Sequence, residues 1–215
     1  MVCETLLEFS EHESSILRTG RLVLCRPRAE DAVGIARLAN DRTIAENTAS
    51  IPHPYTLVHA QAFIDRVISG KSDAFVAFTQ IEGVCTPVGV GGLGMQDGAP
   101  ELGYWMGADY RGQGFATEIA RGLVDYAFEN LKADKVVASC RVTNTASRRV
   151  IEKCGFQWQG CGLATSLGTR GSFPVDRFRL DRRTWESLIA WGHGRREPRP
   201  AAALSARAET EIVTQ

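Results

Sequence analysis

The chain has 215 residues, 44% of them hydrophobic, and its 25 lysines and arginines balance 25 aspartates and glutamates. This is enough apolar material for one sizeable core, and the neutral balance excludes a global field that would draw the protein to nucleic acid or to an anionic membrane. No apolar run approaches the ~20 residues of a membrane span, and the acidic N-terminus lacks the apolar segment of a secretory signal, so we expect a cytoplasmic protein.

The cysteines and histidines point away from disulfides and metals. The 6 cysteines form no C-x-x-C pair, and the 4 histidines have no metal-ligand spacing to one another or to the cysteines. We therefore expect reduced, mostly buried thiols and no bound metal.

The first half of the chain is predicted to be mainly helical. After a polar leader over residues 1–16, Arg21–Pro27 alternates like a strand and Ala29–Asn40 has the apolar spacing of a helix. Thr56 is a predicted N-cap for a second helix, which should end at Gly70.

Three strands are predicted next, separated by segments that carry turn glycines. They cover Ala74–Gln80, Pro87–Met95 and Pro100–Met106. Asp97-Gly98 is a strong hairpin signal, so the three strands should form an antiparallel meander.

A glycine-rich run within this meander resembles a dinucleotide fingerprint. Gly89–Gly94 satisfies G-x-G-x-x-G, but a Rossmann site needs a helix directly afterwards, and here the chain turns into another strand. We reject that site and expect these glycines to permit sheet bending or the close approach of another element.

The most informative segment is Tyr110–Ala120, YRGQGFATEIA, which follows a strand and opens an amphipathic helix. Gly112 and Gly114 remove side chains that would keep a ligand off the backbone, and the free N–H groups of a helix's first turn attract anions. The segment therefore predicts a cradle for a diphosphate.

The remainder of the chain continues the alternation of strands and helices. Lys135–Phe156 predicts a strand, an Asn-containing turn and a helix that stops at Gly155, and two closing strands and a terminal helix follow. These last elements cover Gly155–Thr165, Phe173–Leu180 and Arg182–Trp191. Residues 192–215 have little apolar periodicity and are expected to be disordered, with an RNA-binding arm as the weaker alternative.

Two of these segments together resemble the GNAT N-acetyltransferase superfamily. Arg111, Gly114 and Ala116 fill its R/Q-x-x-G-x-G/A frame, and the second motif, N-x-x-S/A-x-x-V/L-x-x-K-x-G-F, is found at Asn144, Ser147, Val150, Lys153, Gly155 and Phe156. Two motifs in the right order are far more specific than either one. Arg18–Ala32 resembles the opening strand and helix of the Rim-type branch, and Gly168–Leu188 resembles its closing strand. That branch contains the ribosomal-protein N-terminal acetyltransferases.

The resemblance implies a fold and a cosubstrate. The fold is a single α+β domain over residues 17–191, with a mixed, mostly antiparallel central sheet flanked by helices. The cosubstrate is acetyl-CoA, with its diphosphate on the cradle and its pantetheine amides paired with the Tyr104–Met106 strand. The implied cofactor-binding residues are Trp105, Met106, Arg111, Gly112, Gln113, Gly114, Phe115, Ala116, Thr117, Asn144 and Ser147.

The resemblance also implies catalytic roles. Glu101 would accept the proton of the incoming amine, since an ammonium has no lone pair for attack, although other acids could serve. A backbone N–H near Met106 would polarise the thioester carbonyl. Many family members have an acid tyrosine where this chain has Ile151, so the resemblance assigns assistance of the departing thiolate to Ser147 or to solvent. Cys140 and Cys154 have no histidine in either motif to activate them, so we interpret both as packing residues.

The acceptor is left open by the sequence. A protein N-terminus is one candidate, a small-molecule amine or antibiotic is another, and a non-catalytic acyl-CoA sensor is a rival from a different class. Acceptor contacts are expected from the helical Ala45–Tyr55 region and from a Gly162–Pro174 loop, where Arg170 could meet an acidic group. Family precedent is compatible with a homodimer.

Overall fold

The structure, a computed structural model, describes residues 16–166 and 171–192. The predicted leader up to Ser15, Arg170 and the predicted tail beyond Gly192 lie outside the described residues. The predicted domain boundaries therefore stay predictions.

The described residues form eight strands, six α-helices and two short 3-10 turns. The strands are β1 Ile16–Arg18, β2 Val23–Cys25, β3 Asp73–Ile81, β4 Val84–Gln96, β5 Ala99–Met106, β6 Lys135–Arg141, β7 Gln157–Ser166 and β8 Gly171–Asp181. The α-helices are α1 Ala32–Ala39, α2 Arg42–Asn47, α3 Leu57–Ile68, α4 Phe115–Glu129, α5 Thr145–Lys153 and α6 Arg182–Ala190. The 3-10 turns are Ala29–Asp31 and Ala108–Tyr110.

All eight strands belong to one sheet, in the order β1-β2-β3-β4-β5-β6-β8-β7. Neighbouring strands are antiparallel except for the parallel pair β5 and β6. The predicted mixed, mostly antiparallel sheet is thereby confirmed.

Helices cover both faces of this sheet. On one face, α4, α5 and α6 pack into the main core, whose fully buried side chains include Phe75, Ile119, Leu123, Phe128 and Phe178. On the other face, α1 and α3 pack through a smaller cluster of Ala32, Ile35, Ala60, Ile64, Val76 and Val90. The two faces are therefore distinct layers, and any group on the sheet can be assigned to one of them.

The parallel pair in the middle of the sheet separates after a short contact. Its registered pairs are Glu101 with Val137 and Leu102 with Ala138, yet β5 continues to Met106 and β6 to Arg141. The sheet therefore opens into a V between these two strands.

The glycines of β4 let a helix approach the sheet closely. A Cβ at Gly91 would lie 2.4 Å from Ile119 Cγ2 and 2.7 Å from Leu123 Cδ1, both on α4. The expectation of close approach is confirmed, and the run is strand rather than nucleotide loop.

Three predicted segments differ in detail from the structure. The turn before β4 is only Glu82-Gly83, with φ of 51° and 77°, so β4 begins before the predicted Pro87. Most of the predicted Gly162–Pro174 loop is the β7–β8 hairpin, in which Gly162 pairs with Val175. The predicted helical Ala45–Tyr55 region is helical only to Asn47, and the prolines that follow cannot donate to a helix.

Candidate active site

The V-shaped opening leads into a cleft of about 1060 Å³. The separated ends of β5 and β6 line it together with the first turns of α4 and α5, and residues 48–52 and α3 close its other side. Of the catalytic and cofactor-binding residues predicted from sequence, all except Gln113 line this cleft.

The loop before α4, where the sequence predicts an anion cradle, lies at one end of the cleft. Gly112 and Gly114 have φ of 76° and 84°, in the left-handed region that favours glycine. Among the described residues, the backbone N–H groups of 112–116 find no acceptor. A Cβ at Gly112 would meet nothing within 4 Å, so the glycine faces open space. The first turn of α4 thus presents unpaired donors and a positive helix end.

Arg21, which was not singled out from the sequence, fixes this cradle from outside. It donates to both the Gln113 carbonyl, at 3.0 Å, and the Glu118 carboxylate, at 2.9 Å, and its guanidinium lies 4.5 Å above the Phe115 ring. Burial alone would raise the pKa of Glu118, but hydrogen bonds from Thr19 and Arg21 lower it overall. The negative charge of Glu118 in the first turn of α4 is therefore paired with Arg21. This pairing reduces its repulsion of an incoming phosphate.

Arg111, the first residue of the predicted motif, has its guanidinium occupied. It forms a salt bridge with Asp41 and donates to the Met106 carbonyl at 3.3 Å. Burial alone would raise the pKa of Asp41, but hydrogen bonds from Thr43 and Arg111 lower it overall. The side chain thus ties the end of β5 to α2, and an anion would compete with Asp41 for it.

The edge of β5 facing the opening carries free backbone groups. The Gly107 N–H donates to the Val88 carbonyl at 2.9 Å, so the antiparallel alternation directs the N–H groups of Met106 and Tyr104 away from β4. Since β6 has already separated at this level, these donors point into the cleft.

Glu101 lies where β5 and β6 still touch. Its Oε1 accepts a hydrogen bond from Ser139 Oγ on β6 at 2.8 Å. Leu102, the next residue along β5, is buried in the main core, so the Glu101 side chain lies on the opposite face, towards α1 and α3. A carboxylate is thus held in the cleft by one hydroxyl.

Ser147 lies on the other face of β5, at the start of α5. Its N–H donates to the Asn144 side-chain oxygen at 3.0 Å, so Asn144 is the N-cap of α5. Its Oγ lies 3.0 Å from the Tyr104 hydroxyl, and burial raises the pKa of Tyr104 well above its ordinary value. The sequence pattern predicts Tyr104 as a strand residue and gives no signal for its contact with Ser147. The alternation of side chains along β5 predicts the sheet face on which Tyr104 lies, but it does not predict which helix residue Tyr104 contacts.

The buried cysteines near Ser147 do not have the character of nucleophiles. Burial raises the pKa of Cys140 to about 11 and that of Cys154 to about 12. Both thiols therefore stay protonated near neutral pH, which agrees with packing roles. Cys25 is also buried as expected, Cys85 is half-buried and Cys161 is exposed.

The α1 and α3 side of the cleft is lined by aromatic groups and by residues 48–52. Tyr55, Phe63 and Trp105 pack on the smaller core cluster, and the Tyr55 ring lies 5.4 Å from that of His59. Part of the predicted Ala45–Tyr55 acceptor region is thereby present at the cleft. Among residues 16–166 and 171–192, no group of histidines, cysteines and carboxylates could hold a metal ion. No helix in those ranges is long and apolar enough to cross a membrane.

A cradle for an anion beside an opened parallel strand pair defines an acyltransferase-like site, and comparison with known proteins identifies the family. The family model described as "Acetyltransferase (GNAT) domain" matches residues 21–157, more than half of the chain. The chain therefore belongs to the GNAT acetyltransferase family, which confirms the resemblance: it is an N-acetyltransferase whose acetyl donor is acetyl-CoA.

Relatives and solved structures agree with this assignment. The uncharacterized N-acetyltransferase p20 of Bacillus licheniformis is 27% identical over 150 residues, covering 67% of this chain and 83% of that protein. The ribosomal-protein-serine acetyltransferase of Escherichia coli is 31% identical over 61 residues, covering 28% of this chain and 34% of that protein. The fold matches that of RimL, a ribosomal L7/L12 alpha-N-protein acetyltransferase solved with coenzyme A, with a TM-score of 0.67 and 17% identity over 78% of this chain and 98% of that one. These relatives are in keeping with the Rim-type resemblance.

Proposed function

We propose that the protein transfers the acetyl group of acetyl-CoA directly to a primary amine at a protein or peptide N-terminus. The observation that carries the proposal is the pair of groups flanking the open edge of β5. Glu101 lies on one face of the strand, the Ser147–Tyr104 pair lies on the other, and the anion cradle is at the end of the same cleft.

The cradle and the strand edge fit the parts of coenzyme A. Unpaired N–H groups at residues 112–116 suit a diphosphate, and the free edge of β5 at Tyr104–Met106 suits the pantetheine amides. In this proposal Arg111 to Thr117 surround the diphosphate, with Gln113 contributing through its backbone because its side chain donates to the Asp109 carbonyl. The side-chain oxygen of Asn144 is engaged in capping α5, so Asn144 contacts the pantetheine arm with its side-chain amide nitrogen.

Glu101 is the proposed base. It takes a proton from the ammonium, directly or through water, so that the nitrogen lone pair can attack the thioester carbonyl. The hydrogen bond from Ser139 holds the carboxylate on the side of the sheet where the acceptor region lies. The Met106 N–H is the proposed donor to the carbonyl oxygen as negative charge develops there.

Ser147 is the proposed partner of the departing sulfur. As the carbon–nitrogen bond forms and the carbon–sulfur bond breaks, the sulfur becomes a thiolate and needs a hydrogen bond or a proton. Tyr104, whose hydroxyl lies 3.0 Å from Ser147 Oγ, is the proposed group that orients the serine hydroxyl.

The acceptor assignment rests on the relatives whose names refer to ribosomal-protein acetyltransferases. A mass-spectrometric screen of peptides with free N-termini, small amines and amine antibiotics tests it. Acetylation confined to small amines would favour the small-molecule alternative. Acetyl-CoA binding without turnover of any amine would favour the acyl-CoA sensor. A homodimer also stays a prediction, which light scattering of the purified protein tests.

Glu101→Gln tests the base. We expect kcat/KM to fall by about 10²-fold or more near neutral pH and to recover as rising pH supplies free amine. Acetyl-CoA affinity, measured by calorimetry, should stay at the wild-type value, because the cradle is untouched. Glu186→Gln, an exposed change on α6, is the matched control. A wild-type rate and pH profile for Glu101→Gln would transfer the role to another group.

A further inference from the structure

Arg141, at the end of β6, is a charged side chain of the cleft that the proposed chemistry leaves without a role. Val136, Ala138 and Cys140 are buried in the main core, so the alternation of β6 places Ser139 and Arg141 on the opposite face. Ser139 donates to Glu101, which fixes that face as the side of the proposed base. Arg141 therefore points to the acceptor side of the sheet.

The guanidinium of Arg141 is held in place but not neutralised. It lies 3.7 Å from the centroid of the Phe173 ring, which restricts its orientation through a cation–π contact. Its Nε is buried and has no hydrogen-bond partner among the described residues. It also makes no ion pair with any of them. The two terminal nitrogens of an oriented guanidinium match a carboxylate with two parallel hydrogen bonds.

The surrounding charges favour an anion at this place. Arg66 on α3 also lines the cleft and has no ion pair among the described residues. Of the carboxylates that line the cleft, Asp73 is paired with Arg26, and Glu101, whose donor Ser139 is uncharged, is the proposed partner of the acceptor's ammonium. An acidic acceptor would therefore meet two unpaired cations on this side.

The spacing along β6 indicates which carboxylate fits. Arg141 lies two positions beyond Ser139, about 7 Å along the strand, and its contact with Phe173 on β8 holds the guanidinium on the side of β6 away from Glu101. The α-carboxylate of a free amino acid is attached to the carbon that bears the amine, so it would not reach. A carboxylate on the second residue of a peptide would reach while its N-terminal amine lies at Glu101.

We infer that Arg141 selects peptide acceptors that carry an acidic side chain next to the N-terminal residue. This inference rests on the proposed function, since it places the acceptor amine at Glu101. The inference predicts a preference for acidic peptide acceptors that depends on Arg141 and is independent of the loop that binds acetyl-CoA.

The experiment compares two peptides that differ only in a second residue of glutamate or glutamine. For the wild-type enzyme we expect kcat/KM to favour the glutamate peptide by about 10-fold or more. Arg141→Gln should bring the ratio close to one while the glutamine peptide is still acetylated at the wild-type rate, which also shows that the variant is folded. Arg141→Lys should keep part of the preference, and Arg183→Gln, an exposed change outside the cleft, should keep all of it.

Two results would overturn the inference in distinguishable ways. Equal use of the two peptides by the wild-type enzyme, or a preference that survives in Arg141→Gln, removes the role of Arg141 and leaves acetyl transfer standing. Failure of the wild-type enzyme to acetylate either peptide or any neutral amine removes the proposed function and this inference together.

Discussion

Substitutions at Gly114 can distinguish the loss of stability caused by backbone strain from the loss of acetyl-CoA binding, because Gly83 offers a matched control. Gly114 has φ of 84°, and Gly83, in the turn between β3 and β4, has φ of 77°. A Cβ at Gly83 would meet nothing within 4 Å, and one at Gly114 would meet only the Arg21 guanidinium at 3.3 Å. Gly114→Ala and Gly83→Ala therefore introduce nearly the same backbone strain, but only Gly114 lines the cleft.

The expected magnitudes follow from that comparison. A side chain in the left-handed region costs roughly 1–2 kcal/mol, which is about 2–8 °C in Tm for a protein of this size. Both variants should show this loss of stability. In Gly114→Ala the added methyl also presses on the Arg21 guanidinium, which binds the Gln113 carbonyl of the cradle. If the loop shifts as a result, losing one hydrogen bond to a charged phosphate costs about 1.5–3 kcal/mol. We therefore expect the Kd for acetyl-CoA to rise by about 10-fold to 100-fold in Gly114→Ala alone.

Calorimetric titration with acetyl-CoA, beside thermal melts of the same preparations, measures both quantities. Gly114→Val, whose side chain is larger, should abolish detectable binding while the protein stays folded. An unchanged Kd in a folded Gly114→Ala or Gly114→Val protein would refute the reasoning, because the diphosphate would then bind elsewhere. An equal loss of affinity in Gly83→Ala would show that strain alone, transmitted through the sheet, weakens binding.

Two further predictions concern the thiolate side of the cleft and a buried carboxylate. Ser147→Ala should lower kcat with little change in acetyl-CoA affinity, and Tyr104→Phe should have a smaller effect in the same direction. Steady-state rates with acyl donors of differing thiol acidity check this, and a deficit that does not shrink for a more acidic leaving thiol would contradict the role. Asp125 accepts a hydrogen bond from Trp185 Nε1 at 2.8 Å, and burial raises its pKa from 3.8 to about 6. Because the folded-state pKa is raised, the stability linked to its proton is full below about pH 4 and is lost as pH rises through 6. That rise corresponds to at most about 3 kcal/mol, so Asp125→Asn, which keeps an acceptor for Trp185, should increase the free energy of unfolding by about 1–3 kcal/mol at pH 8 and not at pH 4. Urea unfolding at both pH values measures this, and an equal effect at the two would place its origin elsewhere.

Local signals in the sequence predicted the elements that hold the site. Gly112 and Gly114 mark the loop before α4, where both have positive φ, and Asn144 marks the predicted turn before α5, where it caps the helix. Asp97-Gly98 forms the predicted hairpin turn, with both residues at positive φ. Each of these predictions needs only residues within one turn of the chain, which is why a single sequence suffices for them.

Contacts between distant parts of the chain could not be predicted in this way. Arg21 and Glu118 lie 97 positions apart, and Tyr104 and Ser147 lie 43 apart, so no periodicity links either pair. The motif marks Arg111 for the diphosphate, but its guanidinium is bound to Asp41 and the Met106 carbonyl, since α2 packs beside the end of β5. The spacing of a motif predicts where a backbone loop lies. The partner of a long side chain, by contrast, depends on which helices and strands the fold packs beside it.

The division of the groups between two sheet faces explains why the opening of β5 and β6 matters for chemistry. If these strands stayed paired to their ends, the Tyr104 and Met106 N–H groups would bond to β6, and no path would join the Glu101 face to the Ser147 face. Separation after Leu102 frees those donors and creates a passage through the sheet. In the proposed mechanism an acceptor would approach from the side of Glu101 and Arg141 while the thiolate departs towards Ser147 and Tyr104. In the proposed mechanism the two proton transfers would therefore occur on opposite faces of β5, where a carboxylate and a hydroxyl can serve opposite roles without contacting each other.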